Sequence, residues 1–268
     1  MNFMGSKNRI ASEILEVILK DRVEGQVYVE PFVGGCNSID KVDGSRIGSD
    51  INPYLIAMWR GLQFGLEKPM EIPREQYVMY RNKFNSLKVE DIRFLSSVVN
   101  YPVDIFGCDK RFVRQRTKDL ITFRELFLIG WVGFMASFNG RFYDGGYSGK
   151  TETRDYVDEQ IRNTLAQLPL IKDVVFYAGS YDEIFPIQNS IIYCDIPYQN
   201  TKQYSYSNKF DYDKFWDWVR EKSEHHQVFV SEYTAPTDFE VVWEKKVTNS
   251  MHPTKTKRTT EKLYKLKK

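Results

Sequence analysis

The 268-residue sequence is short of the residues that would make it a disulfide-stapled or metal-centred protein. Its three cysteines, Cys36, Cys108 and Cys194, lie far apart and form no CxxC pair. That spacing excludes a disulfide framework and predicts reduced thiols in a cytoplasmic protein. Three histidines are too few and too poorly spaced for a ligand set: His225 and His226 are adjacent and His252 stands alone, so no metal is expected. No apolar run approaches the ~20 residues of a bilayer span. The strongly apolar stretch Phe123 to Phe134 is too short to cross, and the N-terminus is polar by residue 5, so neither a membrane segment nor a signal peptide is read. The net charge is only +2, so a nucleic-acid partner has to be argued from local clusters. GxGxxG is missing, which disfavours a nicotinamide oxidoreductase. There is no internal repeat and no low-complexity tract.

What is present suits a large globular domain, or a domain with an insertion. Hydrophobic residues make up 42% of the chain, enough for a real core. Asn8 to Lys20 has helical periodicity, with Ile10, Ile14, Leu15, Val17 and Ile18 largely on one face. Gln26 to Glu30 reads as a strand, Pro31 to Ser38 as a glycine turn entering a helix, and Ser45 to Ser49 as a second strand closing on Asp50. Pro53 then opens a helix to about Gly65. Strand, glycine turn, helix, strand, acid is half of a doubly wound α/β sheet. From about Phe64 to Arg154 that rhythm stops in favour of charged, aromatic, mostly helical sequence, with a buried helix at Phe123 to Phe134 and a glycine-rich loop at Asn139 to Gly149. This gives one domain from residues 1–63 and 155–268, interrupted by an insertion at 64–154. The α/β rhythm returns with a helix at Tyr156 to Leu168 and strands at Asp173 to Tyr177 and Ser190 to Cys194. A helix at Tyr212 to His225, capped by Asp211 or Asp213, a strand at Gln227 to Ser231 and an antiparallel pair, Glu240 to Val247 with Glu261 to Leu266, complete it.

The most specific chemistry lies at Asp195-Ile196-Pro197-Tyr198, directly after the apolar strand. A carboxylate, a fixed turn and an aromatic ring suit methylation of an exocyclic amine on a planar base. Such an amine is a poor nucleophile because its lone pair is delocalised into the ring. A carboxylate and the Ile196 carbonyl can accept its two N–H bonds and favour a tetrahedral nitrogen, while Tyr198 offers a stacking face. An ordinary proline turn has the same residues, so the companions decide. Glu30-Pro31-Phe32-Val33-Gly34-Gly35 lets backbone approach a ligand in the first strand-to-helix crevice. Asp50, about 20 residues on, suits an adenosine ribose, although Asp50 or Asn52 can equally cap the next helix. Phe3-Met4-Gly5-Ser6-Lys7 can fold over a bound nucleoside, or simply fray before a cap at Ser6.

Taken together, these pieces resemble the Dam-type (D12 class) DNA adenine-N6 methyltransferases over nearly the whole chain. Phe3 to Lys7 is similar to the family's aromatic-x-Gly-Gly-Lys element, with Ser6 for the second glycine. Glu30 to Cys36 is similar to its EPFxGxG cofactor loop, with Cys36 for the last glycine. Asp50-Ile51-Asn52 resembles its ribose-binding D-x-N, and Phe138-Asn139-Gly140 its F-N-G loop. Tyr177 to Tyr181 stands where the family places its adenine-side cofactor contact, and Lys257 to Tyr264 resembles its C-terminal E-x-L element. The catalytic tetrapeptide is commonly Asp-Pro-Pro-Tyr; here Ile196 replaces the first proline. The resemblance implies a Rossmann-like doubly wound sheet of the class I methyltransferase type, with a mostly helical target-recognition domain inserted. It implies S-adenosylmethionine as cofactor, held by Phe3, Met4, Lys7, Glu30, Pro31, Phe32, Gly34, Gly35, Asp50, Asn52, Tyr181 and Asp195. It also implies double-stranded DNA as partner, with the target adenine flipped from the helix and a monomer favoured.

DNA contacts are expected from Lys110, Arg111, Arg114, Arg116 and Lys118, of which Arg111, Arg114 and Lys118 would share one helical face; a solvated helix face is the alternative. In the Asn139 to Tyr147 loop, Arg141, Phe142 and Tyr143 are expected to enter the base stack or hold the orphan base, with Asn139 a further DNA contact, unless the loop is simply packed on the insertion; Thr201 and Tyr204 are expected to touch the target strand. The seven lysines and arginines of Thr254 to Lys268 read as a solvated terminus. An RNA adenine methyltransferase and a DNA-binding protein with a decayed catalytic site are the alternative readings.

Overall fold

The computed structural model of the chain describes residues 1–87, 92–101, 121–184, 186–199, 210–249 and 257–267. Its strands are β1 (Tyr28–Glu30), β2 (Arg46–Asp50), β3 (Val175–Ala178), β4 (Ile191–Asp195), β5 (Gln227–Glu232), β6 (Phe239–Asn249) and β7 (Lys257–Leu266). Its α-helices, among the described residues, are α1 (Ala11–Ile18), α2 (Pro53–Gln63), α3 (Arg74–Ser86), α4 (Ile92–Asn100), α5 (Phe123–Ala136), α6 (Tyr156–Ile171) and α7 (Tyr212–Ser223).

The seven strands form one sheet in the order β3-β2-β1-β4-β5-β7-β6. β1 to β5 are mutually parallel where they pair; β7 runs antiparallel to β5, and β6 antiparallel to β7. The central strands are apolar without alternation, as sheets covered on both faces require: Ile191 to Cys194 are all buried. The strand order reverses between β1 and β4, and in open α/β sheets such a switch point is where a crevice opens at the carboxyl ends. Glu30 ends β1 and Asp195 ends β4, so both acids stand at that crevice.

The helix starts follow local chemistry. Asn52 Oδ1 accepts from the Tyr54 and Leu55 amides at 3.0 and 3.3 Å, and Pro53 occupies the first turn of α2. Thr122 and Glu125 form a capping box at α5, and Asp211 caps α7 through the Lys214 amide. Ser6 is no cap for α1: its Oγ accepts from the Asn8 amide in the preceding turn, and α1 begins later with no side-chain cap.

The segment 64–154 is not walled off from the sheet. One hydrophobic cluster runs from Tyr28, Tyr193 and Phe229 through Tyr54 and Trp59 to Phe123, Phe127 and Trp131. α5 packs along α2, and Gly130 lets it come so close that a Cβ there would lie 2.1 Å from the Tyr54 carbonyl oxygen. A second cluster, on Val29, Ile192, Ile196, Phe215 and Trp218, joins α7 to the sheet.

Candidate active site

The glycine turn after β1 is closed on itself and covered. The Gly34 amide donates to Asp50 Oδ2 at 3.2 Å, and Trp59 Nε1 donates to the Gly34 carbonyl at 3.1 Å. Gly34 takes a φ of +46°, and a Cβ on it would meet the Phe3 ring at 2.8 Å, so the position needs glycine for both conformation and room. Cys36 takes φ 56° with its thiol fully buried, so it holds the left-handed conformation of the glycine it replaces.

Asp50 accepts two amides, from Gly34 and, at 2.9 Å, from Asn52. Two carboxylate oxygens offer about four acceptor positions, so capacity for two hydroxyls remains. Burial pushes its carboxyl up to about 6, opposed by those two amides. Ile51 beside it is 41% exposed, an apolar surface next to a hydrogen-bonding acid. Phe32 stacks on Tyr181 with centroids 5.6 Å apart, and Tyr181 is itself buried against Phe215 and Trp218. Acid, apolar side chain and aromatic pair fit a nucleoside. Asn52 caps α2 through its side-chain oxygen, the capping role that the sequence also allows it.

At the end of β4 the Asp195 to Tyr198 turn is bound on every side. The Lys7 ammonium lies 3.2 Å from Asp195, 3.6 Å from Glu261 and 4.3 Å from the Tyr198 ring centre. The Tyr198 hydroxyl donates to Glu261 at 2.7 Å, and its ring meets Tyr233 edge-on at 4.6 Å. The Pro197 carbonyl accepts from the Tyr212 hydroxyl at 2.8 Å. Glu232 accepts the Gln199 amide at 3.0 Å and the Tyr233 amide at 2.7 Å. Asp195 keeps 23% of its side chain open, so it remains approachable.

Asp195 and Glu261 flank the one lysine, Glu232 lies within electrostatic reach of it, and Glu30 acts on Asp195. Burial raises the Asp195 carboxyl against the pull of Lys7. Burial raises Glu30 to about 8 although the Tyr28 hydroxyl donates to it at 2.8 Å, and burial raises Glu232 to about 7 against its two amides. For Lys7, burial alone would lower the ammonium; Asp195 and Glu261 outweigh it and raise it. Among the described residues no cluster of three or more His, Cys, Asp or Glu is arranged to hold a metal ion.

The glycine-rich loop after α5 differs from the sequence expectation. Tyr143 is buried, its hydroxyl donating to the Ile129 carbonyl at 2.9 Å and its ring stacked on Phe84; Phe142 is buried against Phe134. Both rings anchor the loop to α5, so Tyr143 is corrected from DNA contact to core. Asn139 is exposed at φ 54°, Arg141 is half-buried, and the exposed ring of the loop is Phe138. Lys110, Arg111, Arg114, Arg116, Lys118, Thr201 and Tyr204 lie outside the described residues. Met4 is half-buried and Pro31 buried, both beside the turn that Phe3 covers. Glu232 belongs to no motif that sequence reasoning picked out. It ends a strand as Glu30 and Asp195 do, and that shared position is the signal that could have found it.

A search of curated proteins found no match. The family model for the D12 class N6 adenine-specific DNA methyltransferase matches residues 3–265. The match covers almost the whole length, so the chain belongs to the D12 class of N6 adenine-specific DNA methyltransferases.

Proposed function

We propose that Asp195, Ile196, Pro197 and Tyr198 form the methyl-transfer site and that the glycine turn, Asp50 and Phe3 hold the donor. The reaction is that of the family: a methyl group passes to N6 of adenine in DNA. The donor, S-adenosylmethionine, would supply an electrophilic sulfonium methyl and keep the C–S electron pair as a neutral thioether, while N6 gives up one proton that Asp195 is placed to accept. Asp195 and the Ile196 carbonyl accept the two N6–H bonds and concentrate electron density on the nitrogen. Tyr198, fixed by Glu261 and Tyr233, presents its ring to the base. Lys7 balances the acids so that Asp195 stays an acceptor inside a buried site. Positioning supplies much of the rate, since well-oriented reactants can lower a barrier by ~7–11 kcal/mol. The segment 64–154, with its cations at 110–118 and the exposed Phe138 and Asn139, carries target recognition in this reading.

The single observation behind it is the convergence of Lys7, Asp195, Tyr198 and Glu261 at the switch point of the sheet. Tritium transfer from labelled donor to adenine in unmethylated genomic DNA tests it. Label appearing in RNA alone would move the substrate to RNA, and DNA binding without label would leave a binding protein.

A further inference from the structure

We infer that the outer half of the β6–β7 hairpin is an arm that holds the phosphodiester backbone of the target strand beside the catalytic pocket. The proposal rests on the methyltransferase reading and assigns a substrate surface to residues whose composition reads as a solvated terminus.

β5 pairs with β7 only as far as Glu232 opposite Lys262. Beyond that point β6 and β7 continue alone through five registered pairs, from Lys245 opposite Glu261 to Asn249 opposite Lys257. At the rise of a strand this is about 17 Å of two-stranded ribbon. β6 runs parallel in direction to the central strands and β7 returns, so the ribbon projects past the same sheet edge at which β4 delivers Asp195. An isolated ribbon is only marginally stable, and this one is fastened at its base. Glu261 accepts from Tyr198, Lys245 pairs with Glu13 of α1, and Val247 packs on the main core.

The charge of the ribbon is one-sided. From Glu244 to Asn249 and from Lys257 to Lys262 the sequence has Lys245, Lys246, Lys257, Arg258 and Lys262 against two acids, Glu244 opposite Lys262 and Glu261, which is buried and turned to the catalytic tyrosine. Lys246, opposite Thr260, is exposed, and Lys262, opposite Glu244, is partly so. With Tyr233, Lys245, Thr259 and Glu244 they line a dish of about 510 Å³. Tyr233 also touches Tyr198, so dish and pocket share a wall.

Electrostatics supplies the need for such an arm. A flipped base carries its flanking phosphates to the mouth of a pocket where Asp195, Glu232 and Glu261 stand against one lysine, and the acids that are ionised there repel phosphate. The chain's net charge of +2 gives no general attraction to offset this. Cations one or two strand positions from Glu261 are placed to do so, and threonine hydroxyls beside them are ordinary phosphate donors.

The test measures binding of a fluorescein-labelled 30-base-pair duplex of random sequence by anisotropy across a potassium chloride series. Every phosphate that is no longer neutralised makes the slope of log K against log salt shallower by about 0.9. Lys246→Ala/Lys262→Ala is expected to flatten the slope by up to about twice that and to weaken binding several-fold at low salt, while Lys246→Arg/Lys262→Arg retains both. Lys172→Ala, at the opposite edge of the sheet before β3, leaves the slope unchanged. In methyl transfer to genomic DNA, the alanine pair raises KM for DNA more than it lowers kcat. An unchanged slope in a folded alanine pair overturns the inference. Wild-type protein that fails to transfer label brings down the reaction reading instead, and the anisotropy series still decides the arm.

Discussion

Replacing Glu232 with glutamine isolates what holds the catalytic turn in place. Its carboxylate grips two amides, Gln199 at 3.0 Å and Tyr233 at 2.7 Å, one directly after Tyr198 and the other beside the ring that braces it. Glutamine keeps the volume but has one accepting oxygen, so one amide loses its partner and faces an NH2 group instead. Hydrogen bonds to a charged group contribute about 1.5–3 kcal/mol, and leaving a buried donor unmatched costs about 1–3 kcal/mol. If half of that is felt as misplacement of Tyr198, at 1.36 kcal/mol per tenfold, the methyl-transfer rate falls roughly 2- to 13-fold. The assay is single-turnover transfer of labelled methyl to DNA at saturating donor, repeated from pH 5.5 to 9. In the wild type Glu232 is protonated below about 7 and loses acceptor capacity there, so the rate climbs through that region. Asp195, also raised by burial, adds to the climb with the same sign, so the test is the difference between proteins. Glu232→Gln should start lower and lack the Glu232 part of the rise, with donor affinity little changed. An equal rate and an identical pH profile in the variant would refute the clamp.

Asp195→Ala removes the amine acceptor: transfer is abolished, while equilibrium dialysis still finds donor bound through the glycine turn and Asp50; measurable turnover would transfer the role elsewhere. Gly130→Ala would place a methyl 2.1 Å from the Tyr54 carbonyl, a backbone atom that cannot swing aside. Overpacking of this kind costs ~1–3 kcal/mol or more, so a melting temperature lower by about 3–10 °C is expected in a thermal scan. Glu30 is raised by burial from 4.5 to about 8, so between those values the folded chain keeps a proton that the unfolded chain has released. Stability contributed by this group therefore falls as pH rises from about 5 to 8 and levels off above, by a few kcal/mol at 1.36 kcal/mol per tenfold. Glu30→Gln should flatten that part of a denaturation-against-pH curve, and an unaltered curve would show that Glu30 is already ionised in the fold.

The elements legible from sequence are those whose signals are local. Pro53 after Asn52, Asp211 before Tyr212 and the apolar run at β4 announce themselves, and the observed bounds differ by a few residues. The β6–β7 pair extends beyond its sequence expectation, because its outer half lacks the apolar alternation that marks a half-buried strand. Periodicity reports burial, and a projecting ribbon has little. The site divides in the same way. Asp195, Asp50, Gly34 and Lys7 are named by their motifs, but Glu232 and Tyr212 act on the turn from β5 and α7, and only the register of β4 on β5 brings Glu232 there. Tyr143 misleads for the opposite reason: an aromatic in a glycine-rich loop looks exposed, and only the packing of Phe84 and Ile129 shows that it is not.

Ile196 shows how packing replaces a local constraint. A proline in that place would stabilise the turn by about 0.4–1 kcal/mol, by restricting the unfolded chain. Isoleucine gives that up, but its side chain is 3% exposed in the cluster of Val29, Cys194 and Phe215, and full burial of such a side chain is worth about 1.5–3 kcal/mol. The turn is therefore ordered by the folded sheet and α7 rather than by its own ring. Tyr212 and Glu232 fix Pro197 and Gln199, the residues on either side of Tyr198. Order borrowed from the tertiary structure has a cost in independence. A change in α7 or at the end of β5 reaches the proposed methyl-transfer site through Pro197 and Gln199, although in that proposal neither Tyr212 nor Glu232 touches the base.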